Sequence, residues 1–198
     1  MIEFNNLCKE TPYRIFKEKY DAALNADQKN IEAISISSYN KNLNEVDSRF
    51  VNLKIVDDDN FIFFSNYNSP KSLAFQSHCQ IGAIIFWSST NTQIRIKANI
   101  KKTSSDYNKE YFKNRSTKKN ALAISSNQSN TISSYEKVIK IYKEALDNND
   151  LSQCPDYWGG FTFKPYYFEF WEGHESRINK RDAFVKSDGH WSQFVLEP

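Results

Sequence analysis

The stretch Gln93-Ile-Arg-Ile-Lys-Ala-Asn-Ile-Lys101 alternates apolar and polar residues without a break. Ile94, Ile96, Ala98 and Ile100 fall on one side of an extended chain, and Gln93, Arg95, Lys97 and Asn99 on the other. A period of two over that length predicts a strand with one face in a core. Just upstream, Ile81–Trp87 is a continuous apolar run and predicts a strand buried on both faces. Further back, 49–56 (RFVNLKIV) and 60–65 (NFIFFS) predict strands joined through Asp57-Asp58-Asp59, and Ile34 and Ile36 alternate with Ser35 and Ser37. Downstream, 161–171, 182–186 and 190–196 predict strands, the last two closing a hairpin at Asp188-Gly189.

Helices interrupt this pattern. Thr11-Pro12 supplies an N-cap and a first-turn proline, followed by Ile15, Phe16, Tyr20, Ala23 and Leu24 at helical spacing, so 12–24 is predicted helical. A short helix is predicted from Pro70 to His78, and two more over 105–115 and 119–126. Ser133-x-x-Glu136 reads as a capping box for 134–147, where Val138, Ile141, Tyr142 and Ala145 share a face. Six or seven strands broken by helices, with no βαβ rhythm, predict a mainly β fold: an antiparallel β-barrel with helical insertions in a single domain, 1–198, whose residues 1–10 form a flexible arm.

Composition narrows the function. The 198 residues carry 26 basic and 24 acidic side chains, a net +2, too balanced to draw nucleic acid or an anionic membrane. Aromatics reach 15% while glycine numbers only five, an imbalance that codon bias alone can produce. Those glycines form neither a dinucleotide fingerprint nor a P-loop. Three scattered cysteines fit a reducing compartment, and three histidines give little from which to build a metal site. The run Ile81–Trp87 is too short to cross a bilayer and the first residues lack a signal-peptide pattern, so a soluble cytoplasmic protein is expected.

No nucleophile elbow or zinc-protease helix is present. What remains is a set of cations and hydroxyls at element ends. Arg49 and Lys54 bracket a strand, and Ser65, Ser69 and Lys71 sit where a strand passes to a helix whose free amides suit a phosphate. Tyr111, Arg115 and Lys119, spaced at four, share one helical face or its end, which suits a second anion. Taken singly, each lone Lys or Arg reads as a solvated rim charge roughly four times as often as a ligand, and Tyr111 more often as core than as ligand. The segment 155–181 is the most distinctive: Trp158-Gly159-Gly160-Phe161 reads either as a tight turn or as a close backbone approach. Glu169-Phe170-Trp171 followed by Arg177 and Arg181 offers an aromatic platform with two cations, a combination that can hold a flat anionic ring.

The order W-G-G-F, E-F-W and R-x-x-x-R resembles the pyridoxamine 5′-phosphate oxidase family. Arg49-Phe-Val-Asn-Leu-Lys54 is similar to its R-x-V-L-L-K strand, and Phe64-Ser65-Asn66 with Ser69 and Lys71 to its phosphate loop. Gln93, Tyr111-Phe112, Arg115 and Asn127-Gln128-Ser129 also match in order, so the resemblance runs from about residue 11 to 198. It implies an FMN-binding split β-barrel of Greek-key type, a homodimer with flavin mononucleotide (FMN) at the subunit interface, and residues 155–198 as a dimerisation and active-site region. It further implies FMN contacts from Arg49, Lys54, Phe64, Ser65, Lys71, Gln93, Gln128, Ser129, Trp171 and Arg181. Substrate contacts would come from Lys54, Tyr111, Arg115, Lys119, Arg177 and Asn179, the last two over the pyridine ring in the catalytic position.

The implied reaction is oxidation of pyridoxamine or pyridoxine 5′-phosphate to pyridoxal 5′-phosphate with O2, giving H2O2. The chain departs from the family in several places. Asn179 replaces a usual His, Lys119 a usual Ser and Pro70 a usual Arg. The first residues lack the Arg and Tyr that close the site in some members, and Leu196-Glu197-Pro198 differs from the usual R-L-x-P ending. Two alternatives stay open, a related split-barrel oxidase acting on a substrate such as a phenazine precursor and a non-catalytic FMN-binding protein.

Overall fold

A computed structural model describes residues 1–198. Ten strands build one sheet: β1 Glu3–Asn5, β2 Ala33–Asn40, β3 Glu45–Asn52, β4 Ile55–Asp57, β5 Asn60–Asn66, β6 Gln80–Trp87, β7 Thr92–Lys102, β8 Trp158–Glu172, β9 Lys180–Ser187 and β10 His190–Val195. The helices are α1 Thr11–Asn25, α2 Pro70–Ser77, α3 Ser105–Lys113, α4 Thr117–Ser125 and α5 Tyr135–Asn148. The sheet order is β1-β4-β5-β8-β7-β6-β2-β3, with β9 added to β8 and β10 to β9. Its path ends at β1 and β3 without closing, so the predicted mainly β barrel is a split one. No helix is long and apolar enough to cross a membrane.

Strand β8 is the spine of the molecule. Its first half pairs with β5, its second half with β9, and β7 runs along its other edge. Inward side chains alternate as Phe161, Phe163 and Pro165, then resume at Phe168 and Phe170. The phase changes because the register with β7 shifts between Lys97 and Ala98, leaving Tyr166 as an extra residue. That bulge also accommodates Pro165, which has no N–H for a continuous ladder. Cross-strand rings fill the interior: Phe61 stacks on Phe163 at 5.3 Å and Phe63 on Phe161 at 5.6 Å. Helix α1 covers them with Tyr13, Phe16, Tyr20 and Ala23, at spacings of three and four. Complete burial of Phe16 contributes about 2–3 kcal/mol relative to an exposed ring.

Several expectations need correction. The first ten residues are not a flexible arm: Ile2 is buried in the core and Glu3–Asn5 pairs in parallel with β4. Ile81–Trp87 is buried on one face only, since Ile84 and Phe86 are exposed. The strand expected over 49–56 breaks at Leu53-Lys54 and becomes β3 and β4. The caps are Glu10 and Ser134 rather than Thr11 and Ser133, and Ser134 accepts a hydrogen bond from the Lys137 amide. On α1, Tyr13 takes the inward place expected of Leu24, which is exposed. Gly159-Gly160 is not a turn; both residues lie inside β8. The Asp188-Gly189 hairpin forms as expected, both residues having positive φ.

Candidate functional site

A cavity of about 1070 Å³ opens between β3, β4 and β5 on one side and α3 and the start of α4 on the other. It gathers Arg49, Lys54, Phe64, Ser65, Lys71, Tyr111, Arg115, Lys119, Gln128 and Ser129, all expected at the site. Five cations (Arg49, Lys54, Lys71, Arg115, Lys119) face three carboxylates (Glu3, Asp47, Glu110), an excess of 5 − 3 = +2 in one concavity.

One end is built around Lys71, in the first turn of α2. Its side chain is only 6% exposed, and Nζ donates to Ser65 Oγ at 2.9 Å and Ser69 Oγ at 3.0 Å. No carboxylate lies within ion-pair distance of it. Burial, with the Arg49 charge adding to it, pushes the Lys71 ammonium down to about 8. Ser65 in turn donates to Gln128 Oε1 at 3.0 Å, which ties the 127–129 loop to β5. Arg49 is held by Ser38 Oγ at 2.8 Å, by the Ile36 carbonyl at 3.2 Å and by an ion pair with Asp47.

The other end is aromatic and cationic. Tyr111 stacks on Phe64 with centroids 3.6 Å apart, and the Trp158 ring lies near-parallel to Phe64 at 5.3 Å. The Arg115 guanidinium sits 4.2 Å over Trp158 and donates to Asn120 Oδ1 at 3.2 Å. Burial pushes the Tyr111 phenol up and works against the Arg115 charge. Lys54 pairs with Glu32 at 3.4 Å, and Glu32 also meets the chain's terminal amine at 3.5 Å.

The glycine pair explains how this wall is assembled. Asn108 of α3 accepts from the Gly160 amide at 2.8 Å and donates to the Tyr67 hydroxyl at 2.9 Å. A Cβ at Gly159 would collide with Tyr67 and Asn108, and one at Gly160 would lie 2.6 Å from Thr103 Oγ1. The close approach is therefore made by α3 and its flanking residues, and it sets Tyr111 and Arg115 at the cavity.

The remaining expected residues lie elsewhere. Gln93, Trp171 and Arg181 are register partners across β7, β8 and β9, outside the cavity. Arg177 is exposed in the β8–β9 loop at φ +61°. Asn179 accepts the His174 amide at 3.0 Å and so braces that loop. Reading the sequence missed Glu3 and Asn5, which line the cavity from β1, and Tyr107 from α3. The alternation of Ile2 and Phe4 with Glu3 and Asn5 was their only signal, too short to separate from chance.

Comparison with known proteins follows the same lines. The family model described as "Pyridoxine 5′-phosphate oxidase C-terminal dimerisation region" matches residues 158–198. A pyridoxine/pyridoxamine 5′-phosphate oxidase of Christiangramia forsetii is 36% identical over 196 residues, covering 96% of this chain and 89% of that protein. One from Hydrogenovibrio crunogenus is 31% identical over 191 residues, covering 94% and 88%. Among solved structures, PhzG from Burkholderia lata, in complex with tetrahydrophenazine-1-carboxylic acid, superposes with a TM-score of 0.87 at 21% identity, covering 94% of this chain and 92% of that one. A pyridoxamine 5′-phosphate oxidase-related, FMN-binding protein of Nostoc punctiforme gives 0.80 at 12% identity, covering 96% and 99%. Both show the same fold.

Proposed function

Because this chain belongs to the pyridoxine/pyridoxamine 5′-phosphate oxidase family, we propose that it is an FMN-dependent oxidase forming pyridoxal 5′-phosphate. Pyridoxine 5′-phosphate and O2 would give the aldehyde and H2O2; pyridoxamine 5′-phosphate, O2 and water would give the aldehyde, NH3 and H2O2. The observation that carries the reading is Lys71, a buried cation with two hydroxyl partners and no counter-ion, facing a cavity of positive excess. Such a group suits a phosphate dianion.

The residues present fit FMN on that ground. Lys71, Arg49, Ser65, Gln128 and Ser129 would hold its phosphate and ribityl chain, with Phe64 and Lys54 beside them. Bound FMN supplies the two-electron redox chemistry that the side chains themselves lack. Tyr111, Arg115, Lys54 and Lys119 would take the substrate phosphate at the aromatic end. Their part is orientation: a substrate gripped by its phosphate loses the freedom that otherwise dominates the barrier.

Gln93, Trp171, Arg181, Arg177 and Asn179 would reach the cavity from a second copy of the chain. Support for a homodimer comes from the matched dimerisation region and from the exposed apolar residues Phe50, Ile84, Phe86, Phe194 and Val195. Three free cysteines support a cytoplasmic location.

The test is to purify the protein, record its flavin spectrum, and measure aldehyde and H2O2 formation from each B6 phosphate. Yellow protein with oxygen-dependent turnover is expected. Colourless protein that takes up no added FMN would overturn the reading. A flavoprotein inert toward both phosphates would favour a second reading, a phenazine-type substrate, to which the similarity to PhzG points. The presence of Tyr111, Arg115 and Lys54 in one cavity favours the phosphorylated substrate.

A further inference from the structure

Glu169 is only 1% exposed, yet it lies on the outer face of β8 between the inward rings of Phe168 and Phe170. Every acceptor site of its carboxylate is in use. Oε2 accepts from Arg95 Nη1 at 2.9 Å and from the Tyr167 hydroxyl at 2.8 Å. Oε1 accepts from Arg181 Nε at 3.0 Å and Nη2 at 2.9 Å. The third nitrogen of Arg181, Nη1, donates to the Glu197 carbonyl at 2.7 Å. All three nitrogens of that guanidinium are thus engaged, and its plane is fixed.

The register explains the geometry. Arg95 stands directly opposite Glu169 across β7–β8, while Arg181 is opposite Trp171, one diagonal step along β9. Arg181 must therefore fold back along the sheet to reach Glu169, which keeps it beside Trp171 and the Gln93–Trp171 pair. A buried carboxylate between two arginines is weak evidence for a gain in stability, since an apolar residue of similar volume often serves as well. Orientation is what an apolar residue cannot supply.

We infer that Glu169 is a positioning residue of the cofactor site, fixing the Arg181 guanidinium in the orientation in which it meets the flavin ring. This rests on the proposed role of Arg181, and it adds a residue that touches neither cofactor nor substrate. Glu169→Gln removes a negative charge, which by electrostatics alone would tighten the binding of anionic FMN. It also turns one end of the side chain into a donor, so the Gln cannot serve both guanidinium groups. Positioning and bulk charge therefore predict opposite signs.

The experiment titrates FMN by flavin fluorescence into wild type, Glu169→Gln, Arg181→Lys and the double variant. Glu169→Gln should raise the FMN Kd about tenfold. In the Arg181→Lys background the same change should matter by less than about twofold, because the group it positions is already gone. Equal factors in both backgrounds, or an unchanged Kd in Glu169→Gln, would overturn the inference while leaving the FMN reading intact. Wild type that binds no FMN would overturn both. The Arg181 Nε–H resonance gives a second readout that needs no Arg181 variant: visible in wild type, it should vanish in Glu169→Gln with the backbone amide spectrum retained. Its persistence there at the wild-type shift would overturn the inference.

Discussion

Lys71 donates to Ser65 Oγ at 2.9 Å from a position almost sealed from solvent, with no carboxylate in ion-pair range. A buried ammonium held by hydroxyls alone is costly in the free protein and becomes favourable once an anion arrives. Lys71→Met should therefore weaken FMN binding by at least about tenfold, the loss of one charge-assisted hydrogen bond, without lowering the thermal midpoint of the apoprotein. Calorimetric melting and FMN titration on the same sample check both halves.

The same residue gives a pH dependence. With Lys71 pushed down to about 8, the free protein holds a partly neutral amine near that pH. A phosphate dianion favours the ammonium and raises its pKa, so binding takes up protons and affinity falls as pH rises through about 8. Titration calorimetry at that pH in two buffers of different ionisation enthalpy should show net proton uptake, which Lys71→Met abolishes.

Gly160→Ala should destabilise the protein by about 1–3 kcal/mol, the usual cost of overpacking, because its Cβ meets Thr103. It should also loosen Asn108 and with it α3, so the substrate KM rises more than the FMN Kd. Urea unfolding and steady-state kinetics separate the two effects.

Glu169 carries an acid-stability prediction. Burial acts to raise its carboxyl, but the Tyr167 and Arg181 hydrogen bonds and the Arg95 and Arg181 charges outweigh burial and hold it below the ordinary carboxylate range. A lowered folded value means the group stabilises the fold above its unfolded pKa and that this contribution disappears as pH falls through the folded one. Below about pH 4, Glu169→Gln should lose stability less steeply than wild type in urea midpoints measured against pH.

Arg177→Ala should slow turnover with B6 phosphates far more than it weakens FMN binding. Its side chain is exposed in the β8–β9 loop, away from the Lys71 end of the cavity. Equal losses in both would contradict its proposed placement over the substrate.

The β character of the fold was legible because a period of two over Gln93–Lys101 admits no other structure, and α1 because Pro12 and an aromatic stripe announce a helix. The bulge at Tyr166 was not legible, since the run of apolar and aromatic residues continues through it and only pairing with β7 fixes the register. Strand β1 escaped because three residues carry no measurable period. At the site, ten expected residues meet in one cavity, whereas Gln93, Trp171 and Arg181 line up on a different part of the sheet. Order along the chain cannot separate these two groups.

The sequence by itself determined which chemistry is available: cations, hydroxyls and aromatics at element ends, and a glycine pair in an otherwise glycine-poor chain. Local spacing and side-chain type are properties of the chain and survive without a fold. Only the tertiary structure decided which charges are compensated. Arg181 and Lys71 look alike on paper, but Arg181 is bound to the buried Glu169 and Lys71 reaches hydroxyls alone. Arg181 meets Glu169 only when β9 pairs with β8, whereas the hydroxyl partners of Lys71 lie two and six residues away, and what the fold adds there is the burial of an ammonium that no carboxylate pairs.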